Sequence, residues 1–575
     1  MLKQRSLDDS SYEAVYEKAM TGLAQKAPWW THREASDPGV TLLEMWAVLA
    51  DMQSFYLDQV QESHYLKYLK LLGMERHEGR SAVVWVFFGN VKERRVLPRG
   101  TKLLSDNMVF ETEEEAELAP NGIKAFYLGM GVNRTAAMKM RRKTSFALPG
   151  RGVLFLLTLK EPLKEGEKLS FYVLLDERES RNPVEGDFSM VSLAWEYQGR
   201  DGRWREAEVV RDETKGLLFS GYVCLRVSHI HDGQGGGVLS VRCRLREGEY
   251  DIPPVLYKIY FNMVRTRQRD TLCCEETVEL PRGGGRIALS SYLAKTGDVR
   301  VLKGLKGDLW QDVTGECEID PPITATRGER YVYFPGKGRL QIICTDSRVA
   351  KQDLTYPVTG VAGQQIDLPW EHILPYKTEL MLGRGDDKLY CAYRREDAWE
   401  DRYANAWHWQ EGKSRIVLGD GRHGDIPPAS RTGILFTSLV LWNGKRGNVS
   451  IGRVGRLDRE DLFPGVTCSN LMAGKGGLDY QLPSEQFMEI RENFPPAGRM
   501  VTEGDIESLV KQTPGLLIQG AVARWRDGAV EVGVLAKAPL TGEYLEEFYR
   551  KRVEEFLEPY RLAGSRFRVV IDKGE

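Results

Sequence analysis

Between Pro38 and Tyr56 apolar residues recur at alternating steps of three and four, at Leu42, Met45, Leu49, Met52 and Tyr56. That spacing lays one narrow apolar seam along a helix, and Pro38 suits a first turn, where a missing N–H costs nothing. A second seam follows at Tyr65, Leu66, Leu69 and Leu72, after which Gly73 supplies the left-handed position that commonly ends a helix. Upstream, Tyr12, Val15, Tyr16, Ala19, Met20 and Leu23 mark another amphipathic helix, and Trp29-Trp30 sits between the two. The amino end therefore reads as a helical unit. Such helices either pack on their own domain or are shared between subunits, and the 42–56 seam has no obvious partner in its own neighbourhood.

After Gly73 the texture changes. Ala82 to Phe88, Val153 to Leu159 and Leu169 to Leu175 are short apolar runs bounded by Gly, Pro and charged residues, which read as strands. Met190 to Tyr197, Gly221 to Val227, Val238 to Arg244 and Val255 to Phe261 continue the series. The pairs Pro253-Pro254, Pro321-Pro322, Pro427-Pro428 and Pro495-Pro496 each interrupt a helix or central strand, and three of them serve as approximate seams.

Beyond Pro496 the order changes again. Thr502 with Asp505 makes a capping box for a helix through Val510, and strands Leu517 to Trp525 and Ala529 to Ala536 flank the hairpin signal Asp527-Gly528. A helix from Glu543 to Leu557 and a strand from Arg566 to Ile571 follow. The expectation is a multidomain α+β chain with an N-terminal helical bundle, β-rich middle domains and a small C-terminal α+β domain of order αββαβ. Its parts are residues 1–80 for assembly, 81–265 and 266–355 as β-rich domains, 356–495 as a core domain with a glycine-rich turn, and 496–575 as the C-terminal α+β domain.

The 575-residue length allows roughly three to five cores. Eighty Lys and Arg against 82 Asp and Glu leave a net charge of −2, which argues against the basic surface that a nucleic acid requires. The N-terminal MLKQRSLDDSSYEAVYEK lacks the apolar core of a signal peptide, and no apolar run reaches the eighteen or so residues of a membrane span. Cytoplasmic synthesis without membrane insertion is the expectation. Eight cysteines form no CxxC pair, so reduced, buried thiols are the default.

Gly419-Asp420-Gly421-Arg422-His423-Gly424 satisfies GxGxxG after a probable strand at Ser414 to Leu418. A dinucleotide loop must open a helix, whereas Asp425-Ile426-Pro427-Pro428 continues extended. The favoured reading is a tight turn built by Gly419, Asp420, Gly421, Gly424 and Pro427, in which the glycines allow positive φ and Asp420 bonds nearby backbone. Gly412-Lys413-Ser414 fails as a phosphate loop because Trp407 stands where its first glycine must fall. His229, His231 and Asp232 place two imidazoles on one strand face, but no third metal ligand can be named, and polar residues at a strand end are preferred. No catalytic residue, cofactor site or metal site is assigned.

The segment SDPGVTLLEMWAVLADMQSFYLDQVQESHYLKYLKLLGM, Ser36 to Met74, closely resembles the N-terminal signature of the baseplate J-like wedge proteins of contractile phage tails and bacterial contractile injection systems. TGVAGQQIDLP (Thr359 to Pro369), RIVLGDGRHGDIPP (Arg415 to Pro428) and WNGKRGNVSIGRV (Trp442 to Val454) resemble later motifs of that family. The run from Asn470 through Gly476-Gly477 to Asp479 and PPAGRMVTEGDIESLV (Pro495 to Val510) continue in the same order. Residues 90–350 resemble nothing in the family, and Asp425 is acidic where basic residues are usual.

The resemblance implies a structural wedge subunit of the inner baseplate ring that transmits the contraction trigger to the sheath. Its implied partners are a second copy of itself, a smaller wedge protein, neighbouring wedges in a six-fold ring, and sheath-initiator and central hub proteins. Assembly in a bacterial cytoplasm and residence in a virion or injection particle follow. Pro38, Leu42, Met45, Trp46, Leu49, Met52, Tyr56, Tyr65 and Leu69 are the implied subunit-interface residues. Two rival readings are a carbohydrate- or receptor-binding tail protein, suggested by many strands and 13 Trp, and a metal-dependent hydrolase using His229, His231 and Asp232.

Overall fold

The computed structural model describes residues 11–58, 71, 79–140, 144–177, 181–199, 201–227, 238–281, 283–323, 328–350, 356–385, 388–396, 405–410, 414–481, 485, 498–526 and 528–572. The chain divides into two compact units, Met1–Glu78 with Tyr480–Phe494, and Gly79–Asp479 with Pro495–Glu575.

In the first unit, α1 (Tyr12–Lys26) is capped by Ser11, whose side chain accepts from the Ala14 N–H at 3.3 Å. It packs on α2 (Pro38–Asp58), and the Tyr12 N–H donates to Asp51 Oδ1 at 3.3 Å. The buried positions of α2 are small and seven apart, Val40, Ala47 and Ser54, a pattern that lets another helix approach closely.

The second unit is built from strands. Val83–Gly89 lies in a six-stranded sheet between Met263–Gln268 and Thr467–Asn470, with Met108–Thr112, Lys102–Ser105 and Arg456–Leu457 beyond. Val84, Val86 and Phe88 alternate into one core, while Trp85 and Phe87 turn to the other face, where Trp85 meets Tyr172 with ring centroids 4.7 Å apart. Lys168–Leu175 and Val255–Phe261 belong to a five-stranded sheet, and Val153–Leu163, Val191–Gln198 and Val238–Gly248 to a six-stranded one. These two sheets share a core in which Trp195 lies edge-on to both Phe155 and Phe171. Their side chains interdigitate as in a β-sandwich. A ten-stranded sheet running from Leu309–Asp312 to Gln365–Asp367 holds the segment that carries the glycine turn.

Lys102 fastens two of these sheets. Its ammonium, 3% exposed, reaches Asp270 at 2.6 Å, Asp346 at 2.9 Å and the Thr271 carbonyl at 3.0 Å, with Arg348 bonding both carboxylates from outside. Burial alone would lower the lysine's pKa, but the charges of Asp270, Glu111 and Asp346 more than offset that and raise it.

The expected fold class is overturned. Strand makes up 42% of the chain and helix 18%, so the protein is β-rich and is not a helical bundle joined to a small domain. At the amino end the described helices are the pair α1 and α2, and the other described helices run at most 15 residues. At the carboxyl end, helices Glu503–Lys511 and Glu543–Leu557 cover the three-stranded sheet Ile518–Arg526, Ala529–Ala536 and Arg566–Asp572. That layer does not close its own core. Phe188, Met190, Val191 and Tyr250 from the sandwich pack in the same cluster as Leu545, Tyr549 and Val553. Local periodicity marks the faces of Glu503–Lys511 and Glu543–Leu557 that need cover, but it does not say which distant strands supply it.

Candidate subunit interface and the glycine turn

The entry to α2 is built by three residues. The Trp30 indole N–H donates to Asp37 Oδ2 at 3.0 Å, and Asp37 Oδ1 accepts the Gly39 N–H at 2.7 Å, capping a free donor of the first turn. The Trp30 bond, followed by those from Gly39 and Val40, holds the Asp37 carboxyl below its ordinary pKa against a smaller upward push from burial. Gly39 is fixed by packing, since a Cβ there would run into the Trp30 ring. Pro38 sits at the first helical position and is exposed.

With its small residues inward, α2 turns large ones outward. Leu42 and Met45 are each 57% exposed, Trp46 69%, Leu49 51%, Met52 49% and Tyr56 68%. Val48 and Phe55, absent from the expected set, are exposed on the same helix. A contiguous exposed apolar face of this kind is uncommon on a lone protomer. The missed signal was the spacing of Val40, Ala47 and Ser54, which separates the small inward stripe from the large outward face. Tyr65 and Leu69 lie outside the described residues.

The turn after strand Arg415–Leu418 closes on itself. Asp420 Oδ1 accepts from the N–H groups of Arg422 at 2.8 Å and His423 at 2.7 Å, and the Gly421 N–H donates to the Gly424 carbonyl at 2.9 Å. The bonds from the His423 and Arg422 backbone pull the Asp420 carboxyl down to about 2. Gly421 and Gly424 have φ of +87° and +92°, and a Cβ on Gly419 would collide with the backbone of Gly424 and Asp425. Pro427 is buried where the chain leaves the turn, and no helix follows before strand Ile434–Leu441. Asp420, Gly421 and Gly424 close the loop, and Gly419 allows its far side to approach.

His229, His231 and Asp232 lie outside the described residues. Among the described residues no cluster of three or more His, Cys, Asp or Glu could hold a metal ion, and no helix is long and apolar enough to cross a membrane. The eight cysteines are unpaired and at least half-buried; burial pushes the Cys273 thiol up to about 12.

With this geometry in place, the comparison with protein families is decisive for one segment. Residues 11–68 match the model described as bacteriophage baseplate protein, N-terminal domain. That segment contains α1, the Trp30–Asp37–Gly39 entry and the whole exposed face of α2. The finding supports a baseplate protein family and does not specify the narrower J-like assignment.

Two solved assemblies resemble the chain over most of its length. One is a chain of the type VI secretion system TssK-TssF-TssG baseplate subcomplex, at 8% identity, covering 92% of this chain and 96% of that one, with a TM-score of 0.34. The other is a chain of the anti-feeding prophage baseplate, at 9% identity, covering 96% and 70%, with a TM-score of 0.28. At scores this low neither likeness bears on the function of the chain. No curated protein matches it.

Proposed function

We propose that this protein is a structural, non-enzymatic baseplate subunit of a contractile phage tail or injection particle, joined to its neighbours through α2. The observation that carries the reading is the coincidence of the baseplate N-terminal match with an uncovered apolar helix face inside it. In finer detail, the subunit is a wedge component of the inner ring, with a second copy of itself and a smaller wedge protein as partners on α2. Neighbouring wedges, the sheath initiator and the hub are its further contacts, and the ring passes the contraction trigger to the sheath. Leu42, Met45, Trp46, Leu49, Met52 and Tyr56 form the apolar centre of the interface, and a charge placed there is costly once desolvated.

The test is co-purification of the Leu49→Asp/Met52→Asp variant with the proteins encoded beside it. Both positions are about half exposed in the protomer, so the variant folds and stays soluble but no longer retains those partners. Unchanged retention would overturn the assignment of α2.

A further inference from the structure

The C-terminal three-stranded sheet has helices on one face and, among the described residues, no cover on the other. Along Ile518–Arg526 the residues Ala521 and Ala523 point inward, and Val522 and Arg524 outward. The register aligns four outward rows: Arg526 with Ala529 and Arg566, Arg524 with Glu531 and Arg568, Val522 with Gly533 and Val570, and, at the far end from the arginines, Gly520 with Leu535 and Asp572. Four guanidinium groups therefore share one end of the face with, among the described residues, a single carboxylate, Glu531, whose ion-pair contact is Arg526 at 3.9 Å. Arg524, Arg566 and Arg568 are exposed and have no ion pair among the described residues.

The adjoining row is apolar and flat, with Val522 48% and Val570 38% exposed on either side of Gly533. Nothing in the fold requires that glycine. Its φ is not positive, and an added Cβ would meet only the Val522 carbonyl, at an ordinary 3.5 Å. A glycine in mid-strand sacrifices packing and chain entropy, and marks a place where another backbone approaches closely.

We propose that this face is a docking surface for an acidic, extended segment of a partner protein, whose backbone lies over Gly533 and whose carboxylates meet the four arginines. Guanidinium forks bind carboxylates in a bidentate fashion, and arginine is favoured at protein contacts over lysine, which is absent from these rows. Phosphates of nucleic acid or lipid carry the same sign of charge. The apolar floor beside a charged rim is instead the anatomy of a protein contact, and the chain's net charge of −2 disfavours a polyanion backbone. This surface is separate from α2, and neither assignment depends on the other.

The test is fluorescence anisotropy of the full chain with a labelled synthetic peptide of alternating Glu and Val. Wild type binds it, and Arg524→Glu/Arg568→Glu weakens binding about tenfold or more. Gly533→Leu, which alters no charge, weakens it as well, while Arg203→Glu/Arg431→Glu, a charge reversal elsewhere on the surface, leaves it unchanged. Circular dichroism of each variant confirms the fold. Three results would overturn the proposal: no peptide binding by wild type, equal binding by Gly533→Leu, or tighter, Arg524- and Arg568-dependent binding of duplex DNA or phosphatidylserine vesicles.

Discussion

Removing the Asp251 carboxylate should loosen the C-terminal layer from the sandwich. Its side chain is 1% exposed and pairs with Arg181, itself 6% exposed. The same carboxylate accepts the Tyr549 hydroxyl at 2.6 Å and the Ile252 N–H at 2.7 Å, and Arg181 also donates to the Gly515 carbonyl at 3.1 Å. Next to it, Asn182 donates to the carbonyls of Lys511 and Thr513. In Asp251→Ala the guanidinium is left buried without a counter-charge, a loss of about 3–5 kcal/mol. Tyr549 also loses its acceptor, about 1–3 kcal/mol taken alone. The two terms overlap, so about 4 kcal/mol is the expectation, or about a thousandfold in a local opening equilibrium.

A chain of this size does not unfold in one step, so the assay is native-state hydrogen exchange over residues 503–557. Protection there should fall by about that factor, with the ten-stranded sheet unaffected. Arg181→Met/Asp251→Leu, which removes both charges, should recover most of it, since an apolar pair of similar volume is often as stable as a buried ion pair. Burial pushes the Asp251 carboxyl up, but the bonds and charge of Arg181 outweigh this and hold it low. Its contribution is therefore complete above about pH 4 and fades as pH falls through the lowered value. Exchange that changes less than about threefold in Asp251→Ala would refute the coupling.

Three further outcomes rest on the same reasoning. Lys102→Met should cost about 1.5–3 kcal/mol at neutral pH, because Asp270 and Asp346 lose the buried ammonium and keep only Arg348, read as faster exchange in strands Lys102–Ser105 and Asp270–Leu280. The raised lysine pKa makes the Lys102 contribution complete below about pH 10 and lost as pH rises beyond it, while the lowered Asp346 carboxyl makes its own contribution fade as pH falls below about 4. Gly39→Val should displace the Trp30 ring and break its bond to Asp37, seen as a red-shifted tryptophan emission and faster exchange in the first turn of α2. Asp420→Ala should free the Arg422 and His423 amides for exchange, and in wild type the same release should appear only as pH drops from about 4 toward about 2.

What could be read from the chain was whatever neighbours decide. The strand Ala529–Ala536 and the helix Glu543–Leu557 run where hydrophobic period and turn residues place them, and Thr502 and Asp505 do form a reciprocal cap. The turn at Gly419 was legible because positive φ and an Asx bond are local chemistry. What stayed hidden was set by partners far away in sequence. Lys102 meets Asp346 across 244 positions and Tyr549 meets Asp251 across 298, and neither spacing leaves a pattern in one sequence. The outer face of the C-terminal sheet escaped notice for the same reason, since Arg524 and Arg568 become neighbours only through the register of the strand between them.

The central claim, that other subunits cover α2, is tested most directly by hydroxyl-radical footprinting of Met45 and Met52 in the isolated protein and in the assembled particle. Both thioethers are about half exposed in the protomer and should oxidise readily there, then become protected on assembly. Equal oxidation of the two methionines in both states would contradict the account.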